Sequence, residues 1–340
     1  MKSNFEFLNR YWPALAQIGA AAESYVYSDA NACLYKLGMF GERLILEIFA
    51  FEKLKEPAID NTHANRIRLL KREGLIPKKI DDILYALRKT RNDAVHAGAD
   101  SVEDAKTLLS MTYNLAVWFM EVYGDWGYIA PAFVMPENVV HPDYEAIIKE
   151  QEEKIAKLSK QVEAVSTAAS TKTSKERAEK GETASESMEL SEAETRYLID
   201  EQLRKFGWEA DTNNLLYSKG TRPQKGRNLA IAEWPTDSAV AKNGYADYAL
   251  FVGLKLVGIV EAKKAAIDIP SVIDHQCKEY AKGIKAEHKE YIINQWGAYK
   301  VPFVFATNGR KYLKQIETKS GIWYLDLRSG ANAPKALRGW

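Results

Sequence analysis

Between Gly244 and Tyr280 the chain reads GYADYALFVGLKLVGIVEAKKAAIDIPSVIDHQCKEY. Two apolar runs meet at Val252-Gly253-Leu254. Asp247 interrupts the first run, and Glu261 and Lys263 close the second. A carboxylate in a mostly buried strand is costly unless something pairs with it. Strand side chains alternate faces, so Glu261 and Lys263 share a face and Ala262 points away. A hairpin through Gly253 returns the chain so that Asp247 lies beside Glu261. The pattern predicts two carboxylates and a lysine converging at one place in a sheet. Mg²⁺ suits such a set, because it is a hard cation that takes oxygen ligands and keeps several waters. A structural Asp-Lys or Glu-Lys pair on a half-exposed hairpin fits the three residues equally well.

The sequence after Pro270 has helical spacing and carries Gln276 and Tyr280, four apart and therefore on one helix face. The series Asp247, Glu261-x-Lys263, Gln276-x-x-x-Tyr280 resembles the PD-(D/E)xK nuclease domain of the restriction (HsdR) subunits of type I restriction enzymes. Other pieces resemble that family in the same order. Glu194-Thr195-Arg196-Tyr197-Leu198-Ile199-Asp200 with Phe206-Gly207-Trp208 is similar to its opening helix, and Ala232-Glu233-Trp234-Pro235 to an early strand. Phe305-Ala306-Thr307-Asn308-Gly309 is similar to a late strand and turn. Lys2-Ser3-Asn4-Phe5-Glu6-Phe7-Leu8 resembles the start of the K-type (type IA) members. The resemblance covers nearly the whole chain.

The resemblance implies a Mg²⁺-dependent endonuclease acting on duplex DNA. Asp247 and Glu261 would hold the metal, and Lys263 would orient water or stabilise charge. Gln276 and Tyr280 would support the substrate strand. Glu194 would approach the metal as a first-helix acid, or simply stabilise its own helix N-terminus. Implied partners are a specificity subunit and a methyltransferase subunit. Members of the family couple cleavage to an ATP-driven translocase, yet no G-x-x-x-x-G-K-[ST] triphosphate loop occurs here. The expectation is an N-terminal fragment of a longer subunit, with ATP needed only by the missing motor and with little or no cleavage by the fragment alone.

The 340 residues suffice for two ordinary domains, and 46% hydrophobic content allows a sizeable core. A net charge of +1 gives no global field for nucleic acid, so DNA contact needs a local basic patch. The turn-rich stretch with Lys219, Arg222, Lys225 and Arg227 is one candidate. The only two cysteines, Cys33 and Cys277, form no paired motif, which suggests a reducing compartment and no zinc site. The N-terminus lacks the apolar core of a signal peptide, and no run approaches a membrane span. A cytoplasmic protein without membrane contact is expected.

The expected organisation is α + α/β. Residues 1–140 read as a helical bundle, residues 141–190 as a helix or short coiled coil plus a flexible linker, and residues 191–340 as the endonuclease domain. In the bundle, Asn31 to Leu54 has wide helical apolar spacing. Thr62 caps a helix that Gly74 ends, Pro77 starts the next, and Ser101 with Asp104 resembles a capping box. Ile148, Ile155, Leu158, Val162 and Val165 suggest the coiled coil. Ser166 to Ser187 is almost devoid of large apolar residues and reads as the linker. In the second domain a strand at Leu229–Trp234 precedes the hairpin. Val301–Ala306 lies parallel to the Glu261 strand through a right-handed crossover, and Ile322–Leu327 pairs with it. The expected sheet is mixed and flanked by helices. His275 and His288 read as exposed and incidental.

Arg91-Asn92-Asp93-Ala94-Val95-His96 supplies a second possibility. It resembles the R-x4-H motif of HEPN-type helical domains, some of which are metal-independent ribonucleases. His96 would act as base and Arg91 would stabilise developing charge. The preferred reading is structural, with these polar residues holding a turn between helices. A third possibility is a docking module for a larger complex, with a nuclease fold that is inert alone.

Overall fold

The computed structural model describes residues 3–57, 60–138, 153, 168–263, 269–307 and 322–336. The chain divides into two compact units, Met1–Glu189 and Leu190–Trp340.

The first unit is helical, with α1 (Pro13–Tyr25), α2 (Ala30–Phe51), α3 (His63–Arg72), α4 (Lys78–His96) and α5 (Val102–Phe119). Helix α2 is the hub and packs against α1, α4 and α5. Its apolar residues surround more than one side, as the wide spacing requires: Leu34, Leu37, Phe40, Leu44, Ile45 and Ile48 are all buried. Burying each such side chain contributes about 1.5–3 kcal/mol. Local signals set the ends as expected. Asp29 accepts the Ala32 amide, Thr62 that of Asn65 and Ser101 that of Asp104. Gly74, at φ +71°, follows α3.

The linker expectation is corrected in its second half. Ser174–Ser187 forms α6, started by a full capping box between Thr173 and Glu176. Apolar burial is not what holds it. Arg177 is buried and forks onto Glu52, with Nε to Oε1 at 2.8 Å and Nη2 to Oε2 at 2.6 Å. The Trp118 indole donates to the Gly181 carbonyl at 3.0 Å, and Lys79 Nζ donates to the Ser185 and Met188 carbonyls. A count of large apolar residues is blind to such contacts. The expected coiled coil, from Pro142 to Val165, lies outside the described residues apart from Glu153.

The second unit opens with α7 (Glu192–Lys205) and holds a seven-stranded mixed sheet in the order β1-β2-β3-β4-β5-β6-β7. The strands are β1 (Glu209–Ala210), β2 (Asn228–Pro235), β3 (Tyr245–Val252), β4 (Lys255–Ala262), β5 (Phe303–Thr307), β6 (Ile322–Asp326) and β7 (Lys335–Ala336). The pairs β1–β2 and β4–β5 are parallel, and the other pairs are antiparallel. Between β4 and β5 lie α8 (Ile269–Val272), a π-helical turn (Ile273–Cys277) and α9 (Lys278–Lys282). This helical run ends at Lys282, with Gly283 as its C-cap, and a 3-10 turn follows at Ala286–Tyr291.

Two cores flank the sheet. The larger contains Leu229, Ile231, Trp234, Phe251, Ile259, Ile273, Tyr280 and Val304. The smaller contains Ile199 of α7 with Ala230, Ala232, Tyr248, Leu250 and Val260. His288 corrects another expectation. It is buried beside Trp234, its ring centroid 4.6 Å away, and its Nε2 meets the Tyr217 hydroxyl at 3.1 Å.

Candidate active site

The hairpin forms as its sequence requires. Gly253 takes φ +57° in the turn, and the antiparallel register pairs Tyr248 with Val260. Just beyond that pair the Ala262 amide reaches the Asp247 carboxylate, which puts Asp247 beside Glu261. The carboxylates are held differently. Asp247 Oδ2 accepts the Ala262 amide at 2.7 Å, and Oδ1 lies 3.5 Å from Arg196 Nη2. Glu261 Oε1 accepts from Lys263 Nζ and, at 2.7 Å, from Gln276 Nε2. Glu261 Oε2 is buried without a hydrogen-bond donor among the described residues.

The electrostatics follow from that geometry. Burial, and then the charge of Asp247, push the Glu261 carboxyl up to about 7. Burial also raises Asp247, while the Ala262 amide, Arg196 and Lys263 pull it back. Two buried carboxylates side by side cannot both stay charged at little cost. Lys263 on Glu261 and Arg196 beside Asp247 offset part of that cost, and a shared proton or a bound cation would offset more.

A divalent cation would do so. The donors are hard oxygens, and Glu261 Oε2 is buried with no hydrogen-bond donor among the described residues. Among the described residues no group of three or more His, Cys, Asp or Glu could hold a metal ion. The two carboxylates could serve as protein ligands to a divalent cation that keeps several of its waters.

Gln276 and Tyr280 are brought to the same place. Gln276 lies in the π-helical turn, a feature that often marks functional sites. Its amide donates to both Glu261 and, at 2.6 Å, the Tyr280 hydroxyl. Asn243 Nδ2 donates to the same hydroxyl at 3.2 Å. Tyr280 is 1% exposed, so it has no surface with which to grip a strand. Its place is behind Gln276, which it holds against Glu261. Burial and the nearby Glu261 raise the phenol well above its ordinary range.

Glu194 is buried, and its carboxylate accepts the Ser191 amide at 2.7 Å in a full capping box on α7. The helix-capping role weighed from sequence is therefore present. Arg196 and Glu233 are further functional candidates, which the sequence presents only as members of a helix and of a strand. Arg196 meets Glu192 at 3.0 Å, Glu233 at 3.1 Å and Asp247 at 3.5 Å. The available signal was Glu233 itself, a charge inside an apolar strand as Asp247 is.

Most of the cations in the basic stretch are engaged internally. Arg222 stacks on Tyr217, 3.6 Å from the ring centre, Arg227 forks onto Glu209, and Lys219 donates to the Asn213 carbonyl at 2.6 Å. In the first unit, Arg91 pairs with Glu42 and lies over the Tyr35 ring at 5.2 Å, and His96 is exposed at the end of α4. The arginine of the R-x4-H motif is thus tied to a carboxylate.

Comparison with known proteins places these features in context. Residues 209–340 match the family described as type I restriction enzyme EcoKI endonuclease subunit second domain. Residues 20–165 match a domain of unknown function, DUF4145. Over 413 aligned residues the chain is 32% identical to the type I restriction enzyme EcoKI endonuclease subunit of Escherichia coli (strain K12). The alignment takes in 100% of this chain and 35% of that subunit, so the chain spans about a third of its relative's length. No solved structure matches the chain.

Proposed function

We propose, for a chain that belongs to the family of type I restriction enzyme endonuclease subunits, that the second unit is the DNA-cleaving centre and requires Mg²⁺. The observation that carries the reading is the buried Asp247–Glu261 pair with Lys263 and Gln276 converging on it. Asp247 and Glu261 would hold the cation. When bound, it supplies a Lewis acid for a phosphoryl oxygen and lowers the pKa of a water.

The chain's own residues do the rest. The Ala262 amide fixes Oδ2 of Asp247, and the Gln276 amide fixes Oε1 of Glu261. Tyr280 and Asn243 hold Gln276 in turn. Lys263, with its amine on Glu261, orients the attacking water or meets charge developing on the phosphoryl group. Duplex DNA is the proposed substrate, and the specificity and methyltransferase subunits of a type I complex are the proposed partners. In the full subunit, cleavage would be coupled to ATP-driven translocation.

The test is cleavage of duplex DNA by the assembled complex, with this chain's residues substituted within the complete subunit. Asp247→Ala, Glu261→Ala and Lys263→Ala should each lower cleavage at least 100-fold, in line with the loss of one preorganised group. ATP hydrolysis should persist. Cleavage that survives in EDTA would contradict the reading. The ribonuclease alternative predicts RNA cleavage in EDTA that depends on Arg91 and His96. The engagement of Arg91 by Glu42 disfavours it.

A further inference from the structure

We infer that Arg196, held from behind by Glu233, is a positioning residue for Asp247. The inference rests on the proposed metal-dependent reading of the Asp247–Glu261 pair and adds two residues to it.

Three observations support it. The Arg196 guanidinium is 17% exposed and lies among three carboxylates, Glu192 at 3.0 Å, Glu233 at 3.1 Å and Asp247 at 3.5 Å. Asp247 is consequently held at both oxygens, Oδ2 by the Ala262 amide and Oδ1 by Arg196. A carboxylate fixed at both ends has one orientation in which to meet a cation.

Glu233 is the second observation. It lies in mid-strand with φ +52°, a left-handed backbone that a side chain adopts only at a cost. Strands otherwise alternate between the two cores. Leu229 and Ile231 enter the larger core and Ala230 and Ala232 the smaller, yet Trp234 returns to the larger. The opposite strand does the same, with Tyr248 in the smaller core and Ala246 in the larger. The register pairs Ala232 with Tyr248 and Trp234 with Ala246, so both reversals fall at Glu233 opposite Asp247. Both carboxylates leave the regular pleat at one step of the ladder and meet the same arginine.

The third observation is geometric. Nη1 of Arg196 serves Glu233, while Nη2 serves Glu192 and Asp247. Only a planar fork reaches partners on both sides, so a lysine cannot replace it fully. A mere counter-charge beside Asp247 would act in the opposite sense, because a cation there repels a second cation. The two roles therefore give opposite signs when the arginine is removed.

The experiment is Mg²⁺ titration by calorimetry on the full chain, with melting temperature measured on each sample. Native protein is compared with Arg196→Gln, Arg196→Lys, Glu233→Gly and Asp247→Ala. Positioning predicts at least five-fold weaker Mg²⁺ binding in Arg196→Gln, with Arg196→Lys recovering part of it. Glu233→Gly removes the left-handed strain together with the carboxylate. It should melt no lower than native protein and still bind Mg²⁺ more weakly, a combination that a purely structural role does not produce. Unchanged or tighter binding in Arg196→Gln and Glu233→Gly overturns the inference. If Arg196→Gln fails to fold, Glu233→Gly carries the test. Native-like binding by Asp247→Ala would instead remove the metal reading itself.

Discussion

At the scale of single residues, charges set in apolar strands were what the sequence made legible. Asp247, Glu261 and Lys263 could be placed together because a period of two and one glycine turn fix their relation. Arg196 and Glu233 could not, since they come from a helix and another strand and their meeting depends on a φ that no residue type announces. Tyr280 was placed at the site, but its burial behind Gln276 was not foreseeable from helical spacing. Asp200 offers a residue-scale prediction. It is buried on α7 and accepts the Thr212 amide at 2.7 Å, and burial pushes its carboxyl up to about 6. A carboxyl raised in the folded state binds its proton more tightly there than in the unfolded chain. Its contribution to stability is present at low pH and lost as pH rises from the ordinary 3.8 through about 6. Asp200→Asn should match native protein below about pH 4 and exceed it by roughly 1–3 kcal/mol above about pH 6. Urea unfolding across that range checks it, and parallel curves would count against the buried charge.

At the scale of elements, caps and strands were readable and docking was not. The ends of α3 and α5 follow from Thr62, Gly74 and Ser101 because capping is local chemistry. Helix α6 was missed because its attachment to the bundle is polar: an ion pair, an indole and a lysine on main-chain carbonyls. Glu52→Ala would leave the Arg177 guanidinium buried without its carboxylate, a loss of about 3–5 kcal/mol if the helix stayed in place. The helix should detach instead. Amide exchange over residues 174–187 should rise at least ten-fold while α2 stays protected. Uniform protection would show that other contacts hold it. The packing of α2 on α4 has its own test. A Cβ built on Gly38 falls 2.3 Å from Cβ of Arg91, on a stem fixed to the α4 backbone. Gly38→Ala should therefore destabilise the first unit by about 1–3 kcal/mol through overpacking, visible as a lower melting temperature.

At the scale of the whole molecule, the chain is two compact units with separate family matches, and the proposed chemistry gathers in the second. Among the described residues no helix is long and apolar enough to cross a membrane. Substitutions in the first unit, such as Gly38→Ala, should leave the metal affinity of the second unchanged. As proposed, Asp247 and Glu261 would form a cation site, with Glu261 protonated when the metal is absent. Because Glu261 is raised to about 7, Mg²⁺ must displace a proton below that pH, and affinity should climb with pH and level off above it. The direct measurement is Mg²⁺ titration by calorimetry at pH 6 and pH 8, in two buffers of different ionisation enthalpy. Binding should release a proton at pH 6 and little at pH 8, and should be lost in Asp247→Ala and Glu261→Ala but not in Arg91→Ala. Equal binding by all four proteins, with no proton released at either pH, would contradict the proposed site.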